Sequence, residues 1–556
     1  PYLILTVFVF YRYHRLEIRD ENRDMKRRTF IKTGLVGLSC AALLPSCSRI
    51  SFSRPDILLV MVDDMGFSDI GCYGGEVQTP TLDKLAAEGV RFSQFYNTAR
   101  CCPTRASLLT GLHPHQAGIG HMTRESEHMS EVEKGPYQGW LNRRCVTLAE
   151  VLKEAGYHCY MSGKWHVGSD DKETWPLARG FDRYYGIISG ASNFFNPDPS
   201  RRLTLDNQPA PEPGEDFYLT DAFTDYSLKF LDEHHEHHGR DPFFMYLAYT
   251  APHWPLQARE EDVKKYRNQY KLGWDKLREK RFQKQKELGL VKEKWDLSRR
   301  PDNIPAWNEV KNPDKQDELD HLMAIYSAMI DRVDQNLARI IERLESTGSL
   351  DNTVILFLSD NGACAEGEVL GSYDRHPPGS RTGYGQPAYG DCWAHASNTP
   401  FRRYKHYIHE GGISSPLIVF WPQGIRPKLN GRIIHHYGYL PDIMATLIDA
   451  GRADYPFHYN GHDILPLEGK SLRPYFRGWE IPIHDEPICW EHEHNAAVRH
   501  GKWKLVRLKK NNWELYDMEN DRTETRDLSG DYPEIVRQLG DVWRKWARRV
   551  GYDPDF

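Results

Sequence analysis

In Asp56-Ile57-Leu58-Leu59-Val60-Met61-Val62, a stretch of strand length, an unbroken apolar run follows Asp56, and Asp63-Asp64-Met65-Gly66 ends it abruptly. A run with no in–out alternation suits a strand covered on both faces, as at the centre of a parallel sheet. Residues 157–161, 243–249 and 354–359 read as further strands. Between them, 81–89 and 147–155 read as helices. So does 319–346, where Leu322, Ile325, Met329, Val333, Leu337, Ile340 and Leu344 recur at helical spacing. Strands alternating with helices predict an α/β fold: a large, parallel-rich central sheet with helices on both faces.

A polar cluster follows each strand: Asp63/Asp64, Lys164/His166, His253 and Asp360/Asn361. In open parallel sheets, sites form beyond the carboxyl ends of the strands. Adjacent carboxylates at the end of a buried strand are costly unless something positive compensates them. Asp63, Asp64, Asp360 and Asn361 offer oxygen donors only, which selects a hard cation over zinc. A protein-built cage of several carboxylates suits Ca²⁺ better than Mg²⁺. The alternative is that these carboxylates cap strand ends with no metal.

Outward from this frame lies Cys101-Cys102-Pro103-Thr104-Arg105-Ala106-Ser107-Leu108-Leu109-Thr110-Gly111. Pro103 suits the first turn of a helix and Gly111 its stop. Cys101 then sits at a helix N-terminus, where free N–H groups favour an anion, and Arg105 one turn on is expected to face the same oxyanion.

This stretch resembles the type I sulfatase signature, Cys-x-Pro-Ser/Thr-Arg followed by Leu-Thr-Gly. The family has an alkaline-phosphatase-like fold. Its first motif cysteine becomes formylglycine (3-oxoalanine), an aldehyde that works as its hydrate, so the resemblance implies conversion of Cys101 by a formylglycine-generating maturation enzyme. The residue-101 oxygen would complete the Ca²⁺ shell with Asp63, Asp64, Asp360 and Asn361. One hydroxyl of the hydrate attacks sulfur and displaces the alcohol; the second then loses its proton and ejects sulfate. Gly156-Tyr157 with Ser162-Gly163-Lys164-Trp165-His166 resembles the second signature, although Cys159 stands where a hydroxyl residue is common. By resemblance His166 is the base of the hydrate, Lys164 holds ester oxygens, and His253 in Ala-Pro-His-Trp serves the leaving oxygen. Asn398-Thr399-Pro400-Phe401-Arg402-Arg403-Tyr404-Lys405 matches the segment whose lysine, here Lys405, grips sulfate. Arg105, Lys164 and Lys405 would surround the sulfuryl group with positive charge.

The expected activity is sulfuric ester hydrolysis of a sulfated carbohydrate or an aryl sulfate. A phosphonate or phosphate-diester hydrolase of the same superfamily can share Cys-x-Pro-x-Arg, but Asp64, Asn361 and the Lys164/Lys405 pair favour the sulfatase. A glycan-binding protein with a dead site is the reading from another class.

The 556-residue chain has a net charge of -6 and a pI near 6.5, no signature of nucleic-acid binding. Ten cysteines without regular spacing describe neither a disulfide scaffold nor a zinc ribbon. Residues 1–24 read as an upstream extension. Met25-Lys26-Arg27-Arg28, with the apolar run 34–44, resembles a twin-arginine signal peptide over 25–47. Leu44-Pro45-Ser46-Cys47 resembles a lipoprotein box with Cys47 as the lipidated residue. Export to the periplasm or cell surface, with a possible lipid anchor, is the expectation. The catalytic domain is expected over 52–475 and a smaller C-terminal α+β subdomain over 476–556, with antiparallel strands at 497–507 and 513–517 and a helix at 533–550. Within the first, 257–318 reads as a solvated helical insertion, or else a lid. The loop 363–398 is expected to touch substrate near Trp393 and His395. Oligomeric state is not legible in the sequence.

Overall fold

The computed structural model describes residues 54–123, 135–372 and 387–555. The expected signal peptide over 25–47, with Cys47, falls outside them.

The main sheet is built on β1 (Asp56–Val62), β2 (Val90–Tyr96), β3 (His158–Gly163), β4 (Arg183–Ile187), β5 (Phe243–Ala248), β6 (Thr353–Ser359) and β7 (Ser414–Phe420). Their order is β2-β7-β6-β1-β5-β3-β4, with short strands at both edges making eleven in all. β6, β1, β5, β3 and β4 pair in parallel, whereas β7 is antiparallel to both β6 and β2. All four predicted strands are therefore central. β2, β4 and β7 escaped the sequence reading.

β1 shows why its sequence is apolar from Ile57 to Val62. Leu58, Val60 and Val62 enter one core, which holds the long Pro313–Thr347 helix. Ile57, Leu59 and Met61 enter a second core on the opposite face, which holds the Cys101–Thr110, Leu148–Glu154 and Pro441–Gly451 helices. Each face is covered, so the run from Ile57 to Val62 carries no polar side chain.

The long helix begins six residues before the apolar pattern does. Pro313 occupies its first turn and the Asn312 side chain accepts from Asp314 N, so local capping starts the helix and packing takes over later. Gly348, at φ 71°, ends it.

The expected solvated insertion is instead part of the fold. Its helices, Glu260–Tyr266 and Trp274–Glu287, and the turn between them send Tyr266, Tyr270, Trp274 and Leu277 into the first core. Buried Arg281 pairs with Asp69 and Glu76, each at 2.7 Å. The segment buttresses the 68–76 loop and the Gly390–Ser397 helix and is not a lid. Its charged residues disguised it: a few apolar anchors do the packing while Lys and Glu coat the outer face.

At the C-terminus, Ile488–His492, Asn495–His500, Trp503–Arg507 and Glu514–Asp517 form an antiparallel sheet backed by the Pro533–Val550 helix. The 497–507 segment divides at Gly501, whose φ of 55° turns the hairpin. A buried ion network joins this sheet to the large one. Lys504 Nζ lies 2.8 Å from both Glu410 and Glu524, and Arg522 Nε lies 2.8 Å from Glu410.

Candidate active site

The four polar clusters meet at the carboxyl edge of the sheet. β1 delivers Asp63 and Asp64, β3 delivers Lys164 and His166, and β6 delivers Asp360 and Asn361. His253 follows β5, and Lys405 arrives on the loop before β7. All are buried. Asp64 and His166 hold left-handed backbone at φ 71° and 59°. That conformation is unusual for residues with side chains and collects at functional sites.

The carboxylates are knitted together. Asp64 N donates to Asp360 Oδ1 at 3.1 Å, and Asn361 Nδ2 donates to Asp64 Oδ1 at 2.6 Å. Lys164 Nζ lies 2.5 Å from Asp63 Oδ2, and Lys405 Nζ lies 2.9 Å from Asp64 Oδ2. Thr104, on the cysteine helix, donates to the Asp360 carbonyl at 2.7 Å and fixes that helix to the end of β6.

Arg105 departs from expectation. Its guanidinium is fully buried and turns inward, 3.3 Å from Asp63 Oδ2 and 3.2 Å from Asp360 Oδ2. It also donates to the Lys164 carbonyl at 2.9 Å. Two buried carboxylates need fixed positive charge beside them, and Arg105 reaches both. In these contacts it positions the acidic cluster.

Burial pushes Asp63 up, but Lys164, His253 and Arg105 outweigh that and hold it below the usual carboxylate range. Asp360 goes the other way, driven well up by burial and by the charge of Asp63. Burial, and then Lys164, take His166 down to about 4, so its imidazole is neutral near pH 7. Burial alone would lower Lys405, but Asp64 holds it well above the ordinary lysine value.

The donor set fits a hard dication. Asp63 Oδ1 and Asn361 Oδ1 are buried oxygens without a hydrogen-bond partner. Buried acceptors of that kind are rare unless something else satisfies them. If Lys164 and Lys405 turn from Asp63 and Asp64 toward a bound anion, the carboxylates need a replacement cation.

Residues 55–451 match the Sulfatase family profile, and residues 402–546 match that of the N-sulphoglucosamine sulphohydrolase C-terminal region. The chain belongs to the sulfatase family. It is a sulfate ester hydrolase on an alkaline-phosphatase-like fold. It is 34% identical to an uncharacterised sulfatase of Schizosaccharomyces pombe, over 90% of this chain and 94% of that one. It is 32% identical to an arylsulfatase of Klebsiella aerogenes, over 75% and 91% of the two chains. The crystal structure of Ps i-CgsB in complex with k-i-k-neocarrahexaose superposes with a TM-score of 0.64 at 26% identity, covering 91% of this chain and 95% of that one.

In this sulfatase His253 Nε2 lies 3.3 Å from Asp64 Oδ2 and 3.4 Å from Lys405 Nζ, while its Nδ1 is engaged by the Trp254 carbonyl. His166 Nε2 lies 3.2 Å from the thiol of Cys102, the neighbour of the predicted nucleophile. A hydrogen bond with Cys102, and then the charges of Lys164 and His166, draw the Cys101 thiol well down despite burial.

Trp393 and His395 are not substrate contacts. Trp393 is fully buried against Tyr270, Trp274 and Trp307, and His395 is buried on the same helix. Both lie on Gly390–Ser397, a helix where a loop was expected.

The sequence reading missed a rim beside Lys405. Arg100 contacts His406, Glu366 pairs with His406 at 3.4 Å, and Glu493 reaches His406 Nδ1 at 3.3 Å. A cavity of about 530 Å³ opens there, lined by Glu366, Tyr404, His406, Tyr407 and Glu493 among others. Arg100 precedes the cysteine motif and His406 follows Lys405, so motif adjacency was the available signal. The described cysteines are all free thiols.

Proposed function

We propose that this sulfatase cleaves the sulfate ester of a sulfated saccharide with formylglycine at residue 101 and Ca²⁺ held by Asp63, Asp64, Asp360 and Asn361. The observation carrying this reading is the convergence of those four oxygen donors with Cys101, Lys164 and Lys405 beyond a parallel sheet edge. The saccharide is supported by the neocarrahexaose in complex with Ps i-CgsB and by the polar cavity beside Lys405, where Tyr404, Tyr407, Glu366, Asp391 and Glu493 offer hydrogen-bond partners to sugar hydroxyls.

Bound Ca²⁺ would supply Lewis-acid charge that lowers the pKa of a hydroxyl on residue 101. A hydrated aldehyde there would supply two hydroxyls on one carbon, one for attack on sulfur and one for release of sulfate. Lys164 and Lys405 turn from their carboxylates to the ester oxygens, where charge develops. His253 accepts or gives a proton at Nε2, because Nδ1–H is spent on the Trp254 carbonyl. In its doubly protonated form it delivers Nε2–H to the departing oxygen. Neutral His166 has a free basic nitrogen to take the hydroxyl proton that precedes sulfate release. Arg105 keeps Asp63 and Asp360 in place throughout.

The Met25–Cys47 signal supports export, with Cys47 as a lipid attachment point, and conversion of Cys101 requires a formylglycine-generating partner. The test joins peptide mass and turnover on one preparation. Residue 101 is expected to carry the aldehyde mass, and inorganic sulfate is expected from a panel of regiospecifically sulfated sugars ahead of an aryl sulfate. An intact thiol in fully active protein, or faster turnover of a phosphonate monoester, overturns the proposal.

A further inference from the structure

Before any conversion of residue 101, the same end of the cysteine helix holds a different set of donors. Cys101 Sγ lies 3.7 Å and Cys102 Sγ 3.5 Å from Met122 Sδ. Cys102 Sγ lies 3.2 Å from His166 Nε2. One ligand atom each from Cys101, Cys102 and His166 falls within 4.8 Å of the others, and all three residues are buried. His166 Nδ1, on the far side of the ring, is also buried and has no hydrogen-bond partner.

Three of the six ligand-to-ligand spacings in this set suit a coordination shell. Metal–sulfur bonds of about 2.3 Å and metal–nitrogen bonds of about 2.0 Å place tetrahedral ligand atoms roughly 3.4–3.8 Å apart. The observed separations of 3.2, 3.5 and 3.7 Å lie close to those edges. Two thiols, a thioether and an imidazole are soft donors, whereas the oxygens of Asp63, Asp64, Asp360 and Asn361 are hard. The thioether favours Cu⁺ over Zn²⁺, since Met sulfur is a poor ligand for the harder dication.

We propose that the unconverted chain binds one Cu⁺ ion through Cys101, Cys102, Met122 and His166. The site is a property of the thiol form. Conversion of Cys101 removes one of its sulfurs, so copper affinity reports the unconverted fraction and a bound ion withholds the Cys101 sulfur from other chemistry. The arrangement follows from the position of Cys102 and Met122 and does not depend on which sulfate ester the mature enzyme cleaves.

The test uses the full chain made without the maturation enzyme, with the thiol at residue 101 verified by mass, under reducing, oxygen-free conditions. Competition against a chromogenic Cu⁺ chelator is expected to show one equivalent taken up. Cys102→Ser and Met122→Leu should each weaken uptake tenfold or more with the melting temperature of the metal-free chain retained. Cd²⁺ added to the wild-type chain provides a readout needing no variant, since cadmium–thiolate bonds absorb in the ultraviolet. No uptake, no thiolate band, or undiminished uptake by a Cys101→Ser/Cys102→Ser chain overturns the proposal. Protein with residue 101 converted should bind at least tenfold more weakly. Sulfate release is measured on that converted protein, so loss of one result leaves the other standing.

Discussion

Arg105→Gln isolates the role the structure gives this residue. The guanidinium is enclosed with Asp63 and Asp360 at 3.3 and 3.2 Å, and none of the three side chains reaches solvent. Glutamine is shorter and retains only part of the hydrogen bonding, but it stays polar while removing the charge. Breaking one partner from a buried ion pair costs about 3–5 kcal/mol, because the remaining charge is stranded. An unfolding entropy of about 2.1 cal/mol/K per residue gives roughly 1 kcal/mol/K for a folded unit of about 500 residues. The melting temperature should therefore fall by about 3–5 °C in chelator, measured at one fixed scan rate. With excess Ca²⁺ the gap between variant and wild type should narrow, since the dication takes over part of the compensation. Arg339→Gln is the control: its pair with Asp225 is exposed, and surface pairs contribute about 0–1 kcal/mol. Equal melting of Arg105→Gln and wild type in chelator would refute the reasoning, and so would a gap that Ca²⁺ leaves unchanged.

Lys405→Ala should lower kcat/KM by about 10²–10³, the usual effect of losing one preorganised electrostatic partner, in steady-state sulfate release; a loss under threefold would remove Lys405 from the oxyanion site. Trp393→Phe should lower stability by about 1–3 kcal/mol through lost volume and the lost bond to the Leu319 carbonyl, while KM stays within twofold. A large KM change would return this residue to the substrate. Burial takes His113 down to about 4 from 6.5. Its folded-state pKa is depressed, so the stability it contributes is complete above pH 6.5 and is lost as pH falls from 6.5 toward 4. At about 1.4 kcal/mol per unit the loss reaches roughly 3 kcal/mol. Denaturant titrations at pH 7 and pH 4.5 should show a smaller acid loss in His113→Gln, and identical pH slopes would count against the assignment.

The sequence was most legible where one residue type has one physical use. Buried strands must be apolar on both faces, so β1, β3, β5 and β6 announced themselves, and the polar residues at their ends marked the site. β7 escaped because Ser414, Ser415 and Pro416 open it with polar and turn-like residues. The buttressing segment escaped because its Lys and Glu residues outnumber the few aromatic anchors that fix it. Trp393 was misassigned because an aromatic beside a Gly-rich stretch suits a binding loop as well as a packed helix.

Local chemistry, then, was enough to name the parts: strand lengths from hydrophobic runs, the cysteine helix from Pro103 and Gly111, a hard-cation set from four oxygen-bearing side chains. Which parts face one another was settled only by chain segments hundreds of residues apart. Arg105 meets Asp360, Lys405 crosses to Asp64, and Met122 and His166 come to the paired thiols. A side chain's charge is written at its own position, but its partner depends on how the sheet orders its strands, and burial then makes that partnership obligatory.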